Sequence, residues 1–166
     1  MTERGVFFSE VAVNTEVFSR NLRPIGRERG WLDVRQLAVS MHYGKEDGAA
    51  EESLRVTISY HGHPGYSARF VNHGEELELV EMREVFGGRG KSIHVGLKSP
   101  EVIRDVIMPA LSQTGAPWKR LTMGPVINIA GVTEMGGGEQ QRMLLHLPTI
   151  FSMQPVGQGF VHTITR

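Results

Sequence analysis

The segment LRVTISYHGHPGYSARF, residues 54–70, limits what this chain can fold into more than any other stretch. Leu54, Val56, Ile58 and Tyr60 alternate with Arg55, Thr57 and Ser59; Tyr66, Ala68 and Phe70 repeat the alternation after HGHPG. A period of two sends successive side chains to opposite faces of a strand. Residues 54–72 therefore read as a β-hairpin with one buried face and one wet face.

The same period recurs elsewhere. SIHVGL sets Ile93, Val95 and Leu97 on one face. WLDVRQLAVSMHY alternates in two phases, Leu32 and Val34, then Leu37, Val39, Met41 and Tyr43; the slip near Gln36 predicts a β-bulge in one long strand. LELVEMREVF suits a strand better than a helix, because a glycine turn and a further strand follow it. VINIAGV and MLLHLPTIF are apolar on both faces, as befits central strands covered on two sides or buried in an oligomer. Pro148 ends the second of these early or puts it at an edge.

One helix is expected over 100–113. Ser99 is positioned to cap it, Pro100 sits at the first helical position, and Glu101 complements the positive end of the dipole. Val102, Ile103, Val106, Ile107, Ala110 and Leu111 then form one apolar stripe. Pro109 removes a backbone donor and predicts a kink or an early end. The fold class is a β-rich α+β domain: a mostly antiparallel sheet or a two-sheet sandwich with one principal helix.

At 166 residues the chain fits one domain with a sizeable core. Residues 31–166 form that domain. Residues 1–30 carry a weak strand pattern (Phe7, Val11, Val13, Val17) and an arginine-rich connector, and read as an arm that packs on the body or on a neighbouring subunit. Eighteen basic residues balance eighteen acidic ones, so no whole-molecule field draws the chain to nucleic acid or to a membrane surface. No apolar run approaches the roughly 20 residues that span a bilayer, and the N-terminus lacks the apolar centre of a secretory signal. The expected location is the cytoplasm of the producing cell, or a virion assembled there. Without cysteine there is no disulfide, thiolate zinc site or cysteine nucleophile.

The motifs that suggest chemistry each lack an essential part. EVFGGRGKS, residues 84–92, ends like a phosphate-binding loop, but Val85 stands where the first glycine belongs, and a strand pattern follows where a helix is required. Arg89 and Lys91 then lie at a basic hairpin tip. His61 and His63 have a metal-site spacing that is similar to the paired histidines of cupins, yet Tyr66, Ser67, Ala68 and Arg69 fill the stretch where an acidic ligand is expected. They are the weak metal candidates, and no cofactor is expected. His73 lies some seven strand residues from the turn, roughly 23 Å away. His146 sits between leucines and is expected to be buried. His162 and His94 lack the hydroxyl two residues on that a two-histidine phosphoesterase needs, since Ile164 and Gly96 occupy those places.

What remains in surplus is glycine-rich loop, methionine, apolar strand surface and arginine. Arg20, Arg23, Arg27, Arg29, Arg89, Lys91, Trp118, Lys119 and Arg120 are the candidate interface residues. The expectation is a non-catalytic assembly protein that forms a homo-oligomeric ring or tube with itself and with neighbouring assembly proteins, in concrete terms a phage virion or a tail or neck component. Two alternatives belong to other classes. A nucleic-acid-binding accessory protein would use the same cations on the phosphate backbone. A hydrolase or metal-dependent enzyme would need His42, His61, His63 or His94 to converge with acids in the fold.

Overall fold

Seven strands form one sheet: β1 (Leu37–Lys45), β2 (Glu52–Tyr60), β3 (His63–His73), β4 (Glu76–Glu84), β5 (Arg120–Ala130), β6 (Gln154–Val156) and β7 (Gly159–Thr163). Their spatial order is β1-β2-β3-β4-β5-β7-β6. This computed structural model describes residues 15–22, 33–84, 97–113, 117–130 and 146–164. All neighbours run antiparallel except β4 and β5, which are parallel. A parallel pair needs a return across the sheet. Helix α2 (Ser99–Gln113) lies within that return. The fold is β-rich α+β, and among the described residues the strands form a single sheet.

One face of the sheet holds the core. Leu37, Val39 and Met41 of β1, Leu54, Val56 and Ile58 of β2, Ala68 and Phe70 of β3, and Leu77, Leu79 and Met82 of β4 are all buried there. Val102, Ile103, Val106, Ile107 and Leu111 of α2 join the same cluster, as the helical spacing predicts. The helix runs on through Pro109 to Gln113, with Pro109 on its exposed side. Its first helical bond runs from the Val102 N–H to the Lys98 carbonyl, so Lys98 holds the cap position and Ser99, the expected cap, is the first helical residue. The Ser99 hydroxyl is buried and does not cap.

The hairpin turn is tighter than HGHPG suggested. Only His61 and Gly62 connect the strands, both at positive φ (52° and 78°), the signature of a type I′ turn. His63 and Pro64 belong to β3 itself, and a register shift after Ile58 absorbs the extra residue. Pro64 lies beyond the last β3–β4 pair, Tyr66 with Glu84, so no ladder bond to β4 is lost there.

Two expected strands are replaced. Val34–Gln36 form a single 3-10 turn, not a bulge in a long strand, because the Asp33 side chain accepts from the Arg35 N–H and the Leu37 N–H bonds the Val34 carbonyl. Residues 146–150 form a short helix, α3. Leu147 and Phe151, four apart and both fully buried, make its inner side, and the Phe151 N–H bonds the Leu147 carbonyl. His146, in α3, is exposed rather than buried. Leu97 pairs with Leu22 in an isolated bridge; the rest of SIHVGL, the basic tip at 85–92 and the loop at 134–141 lie outside the described residues.

Residues 15–22 belong to the body. Helix α1 (Thr15–Arg20) puts Phe18, 1% exposed, into the core. Asn21 Nδ2 donates to Asp105 Oδ2 of α2 at 2.9 Å and to the Val17 carbonyl at 2.9 Å. Val17 is thus helical, not part of a strand. Residues 1–14 and 23–32 lie outside the described residues.

Candidate functional site

The second face of the sheet is polar and built in rows across β2, β3 and β4. Arg55, Arg69 and Glu81 form one row in register. Two arginines directly opposite each other repel, and the chain inserts a carboxylate between them. Glu46, in the loop after β1, takes Arg55 Nε on Oε2 at 2.6 Å and Arg55 Nη2 on Oε1 at 2.9 Å. Arg69 Nε stands 3.5 Å from Glu46 Oε1 and donates to Ser53 Oγ at 3.2 Å. Arg55 Nη2 also lies 2.9 Å from Glu81 Oε1, and its Nη1 donates to Ser67 Oγ at 3.0 Å. Hydrogen bonds from Arg55 hold the Glu46 carboxyl below its usual pKa against the opposing effect of burial. The same bonds raise the Arg55 guanidinium.

The adjacent row is Thr57, Ser67 and Arg83. It borders an open depression of about 290 Å³, lined among the described residues also by Glu46, Arg55 and Pro64. Arg83 is half exposed, and its Nη2 lies 3.5 Å from Glu81 Oε2. None of these residues stood out in the sequence as a site, because each is the polar partner in an alternating strand. The available signal was that Arg55, Arg69 and Arg83 recur every 14 residues (69 − 55 and 83 − 69), which is the repeat of the hairpins that bring them together.

The cations singled out in the sequence are engaged with their own chain where they are described. Arg20 pairs with Asp105 at 3.5 Å. Lys119 Nζ meets Glu75 at 3.2 Å, and Arg120 Nε meets Glu76 at 3.0 Å. Trp118 is 1% exposed: its ring lies 5.5 Å from that of Tyr43, and its Nε1 donates to Asn72 Oδ1 at 2.8 Å. A side chain so enclosed presents nothing to a partner. Arg23, Arg27, Arg29, Arg89 and Lys91 lie outside the described residues.

Among the described residues the histidines do not converge. His61 and His63 are exposed at the turn, and His42 stands opposite Arg55, five strand positions from the Leu37–Tyr60 pair beside that turn, roughly 17 Å along the sheet. His73 pairs with Glu78 at 2.8 Å at the far end of β3. His162 Nδ1 lies 3.2 Å from the Ser152 carbonyl. Among the described residues, no group of three or more His, Asp or Glu side chains is placed to hold a metal ion. His94 lies outside them.

The two edges of the sheet differ. β6 is three residues long and contains Pro155, so it offers little to a passing strand. β1 is nine residues long and pairs with β2 through nine consecutive positions without a bulge. LAVSMHYGK contains no proline and no Asp, Glu, Arg or Lys before Lys45. Among the described residues it pairs on that side alone. Comparison with protein-family models, curated proteins and solved structures finds no match. Among the described residues no helix is long and apolar enough to cross a membrane.

Proposed function

We propose that this chain is a non-catalytic assembly protein that joins copies of itself through the β1 edge. One observation carries the reading: among the described residues the sheet ends in a long, regular strand without the devices that keep edges from pairing. Natural sheets protect exposed edges with charge, proline, bulges or brevity. β6 uses brevity and proline, and β1 uses none of the four until Lys45. A strand from a second copy, added here, would satisfy the outward N–H and C=O groups and extend the sheet from one subunit into the next. The finer form of the proposal, a ring or tube in a phage tail or neck, rests on the glycine-rich loops and arginine-rich N-terminal segment of the sequence.

The pairings of Arg20, Lys119 and Arg120 with Asp105, Glu75 and Glu76 favour this reading over a nucleic-acid clamp, because cations matched by local carboxylates release few counterions on meeting phosphate. The test is mass in solution by light scattering across a concentration series, for the native chain and for an Ala38→Lys, Ser40→Lys variant. Both substituted positions lie on the polar side of β1 opposite the neutral Ser59 and Thr57. The native chain is expected to gain mass with concentration and the variant to stay monomeric. A native chain that remains monomeric throughout overturns the proposal.

A further inference from the structure

The depression beside Arg83 has the chemistry of a binding site. Its floor is the Thr57–Ser67–Arg83 row. Ser67 Oγ already accepts from Arg55 Nη1 at 3.0 Å, which leaves its own proton free to turn toward a ligand. Thr57 offers a second hydroxyl from the adjacent strand, partly buried at the same level. Arg83 carries five donors in a planar fork, and its 3.5 Å separation from Glu81 is long for a charged hydrogen bond. Arg55, Arg69 and Arg83 exceed Glu46 and Glu81 by one positive charge, three against two. Glu46 borders the depression, but both of its oxygens are held by Arg55. Donors converge, acceptors are occupied, and the local charge is positive.

We propose that this row binds a small oxyanion, the carboxylate or phosphate group of a low-molecular-weight ligand, with Arg83 as the charged anchor and Thr57 and Ser67 as orienting donors. A guanidinium fork matches two oxygens of either group. The volume of about 290 Å³ falls just below the range of small-molecule pockets, about 300–1,000 Å³, so the ligand is a compact one. The site lies on the polar face of β2–β4 and does not depend on pairing at β1.

Isothermal titration with inorganic phosphate and, separately, with succinate tests the proposal, each against sodium chloride at matched ionic strength. One of the two anions is expected to bind above the chloride control, and the arm that responds names the oxyanion class. Arg83→Gln should weaken that binding by about tenfold or more, as loss of a charge-assisted bond implies. Arg83→Lys, which keeps charge without the fork, should fall between. Far-UV circular dichroism and the melting temperature in chloride check that the variants fold. If Arg83→Gln does not, Thr57→Val carries the test, with a several-fold loss expected from removing one neutral donor. Absence of binding by both anions overturns the proposal, and so does equal binding by the native chain and the folded variants.

Discussion

Arg55 on β2 grips Glu46 with two hydrogen bonds, Nε to Oε2 at 2.6 Å and Nη2 to Oε1 at 2.9 Å. The bond ties the loop between β1 and β2 to the polar face and neutralises one of two opposed arginines. Glu46→Gln keeps the shape and removes the charge. The cost should be about 1–2 kcal/mol, below that of a buried pair because the Glu46 side chain is 36% exposed and partly screened. Urea denaturation of both proteins at pH 7 measures it.

The same pair sets a pH dependence. The Glu46 carboxyl is lowered from 4.5 in the folded protein, chiefly by the Arg55 hydrogen bonds. The unfolded chain therefore binds its proton first as pH falls, and the pair's contribution is fully present above the unfolded pKa and lost as pH falls through the lower folded value. Denaturation midpoints of the native chain should drop as the pH falls below the ordinary carboxylate value of 4.5. Glu46→Gln should show a shallower fall, since one of the depressed carboxylates is gone. Asp105 adds to the remaining slope: burial pushes its pKa up, yet bonds from Arg104 and Asn21 outweigh that and leave it lowered.

The β2–β3 turn makes a second, opposite prediction. His61 occupies a left-handed position (φ 52°) in a type I′ turn, where asparagine is preferred over a residue with a large ring. His61→Asn should stabilise the protein by a few tenths to about 1 kcal/mol, reduced by loss of the edge contact between the His61 and Tyr60 rings at 4.5 Å. Gly62→Ala, at φ 78°, should destabilise it by about 1–2 kcal/mol for lack of that freedom. Thermal midpoints moving the same way for both variants would contradict the turn assignment.

The residues that were legible in the sequence are those whose neighbours in space are also neighbours in the pattern. Leu54 through Tyr60 and Tyr66 through Phe70 fixed both faces of the hairpin, because period two admits one pleated solution. Val102 to Leu111 did the same for α2. The 3-10 turn at Val34–Gln36 was misread because Leu32, Val34 and Leu37 supply apolar residues at spacings a bulge also explains; the Asp33 side chain, bonding the Arg35 N–H, decides the conformation. In MLLHLPTIF, apolar residues at six of nine positions hid the four-residue spacing of Leu147 and Phe151 that matters in α3. The polar rows were illegible for a different reason. That Arg55 meets Glu46 and Arg83 borders Ser67 depends on register, and register is set by turns whose length the sequence gives only approximately.

Gly159 marks where β7 passes close to β5. A Cβ built there would stand 2.8 Å from the Met123 carbonyl oxygen, a backbone atom that cannot swing aside. Gly159→Ala should therefore displace β7 from Met123 and cost about 1–3 kcal/mol, as overpacked sites do. Gly124 is the control: its Cβ would meet only the Glu78 carboxylate, at 3.4 Å, the movable end of a flexible side chain. Gly124→Ala should shift the urea midpoint much less. Equal midpoints for the two variants would count against the close approach.

Phe18 decides whether residues 15–22 are an appendage. The ring is 1% exposed within the main core, and α1 is anchored to α2 by the bonds of Asn21 and Arg20 to Asp105. An arm that exchanged freely between subunits would leave the body intact on losing that ring. A ring buried in its own core leaves a cavity, and Phe18→Ala should cost about 3–5 kcal/mol. Chemical denaturation at low protein concentration, where association is suppressed, isolates the intrachain effect. A truncation beginning at Gly30 removes Phe18, Arg20 and Asn21 together and should destabilise the protein at least as much as the single substitution. Native-like midpoints for both variants would restore residues 15–22 to a detachable arm and free the core beneath them for a neighbour.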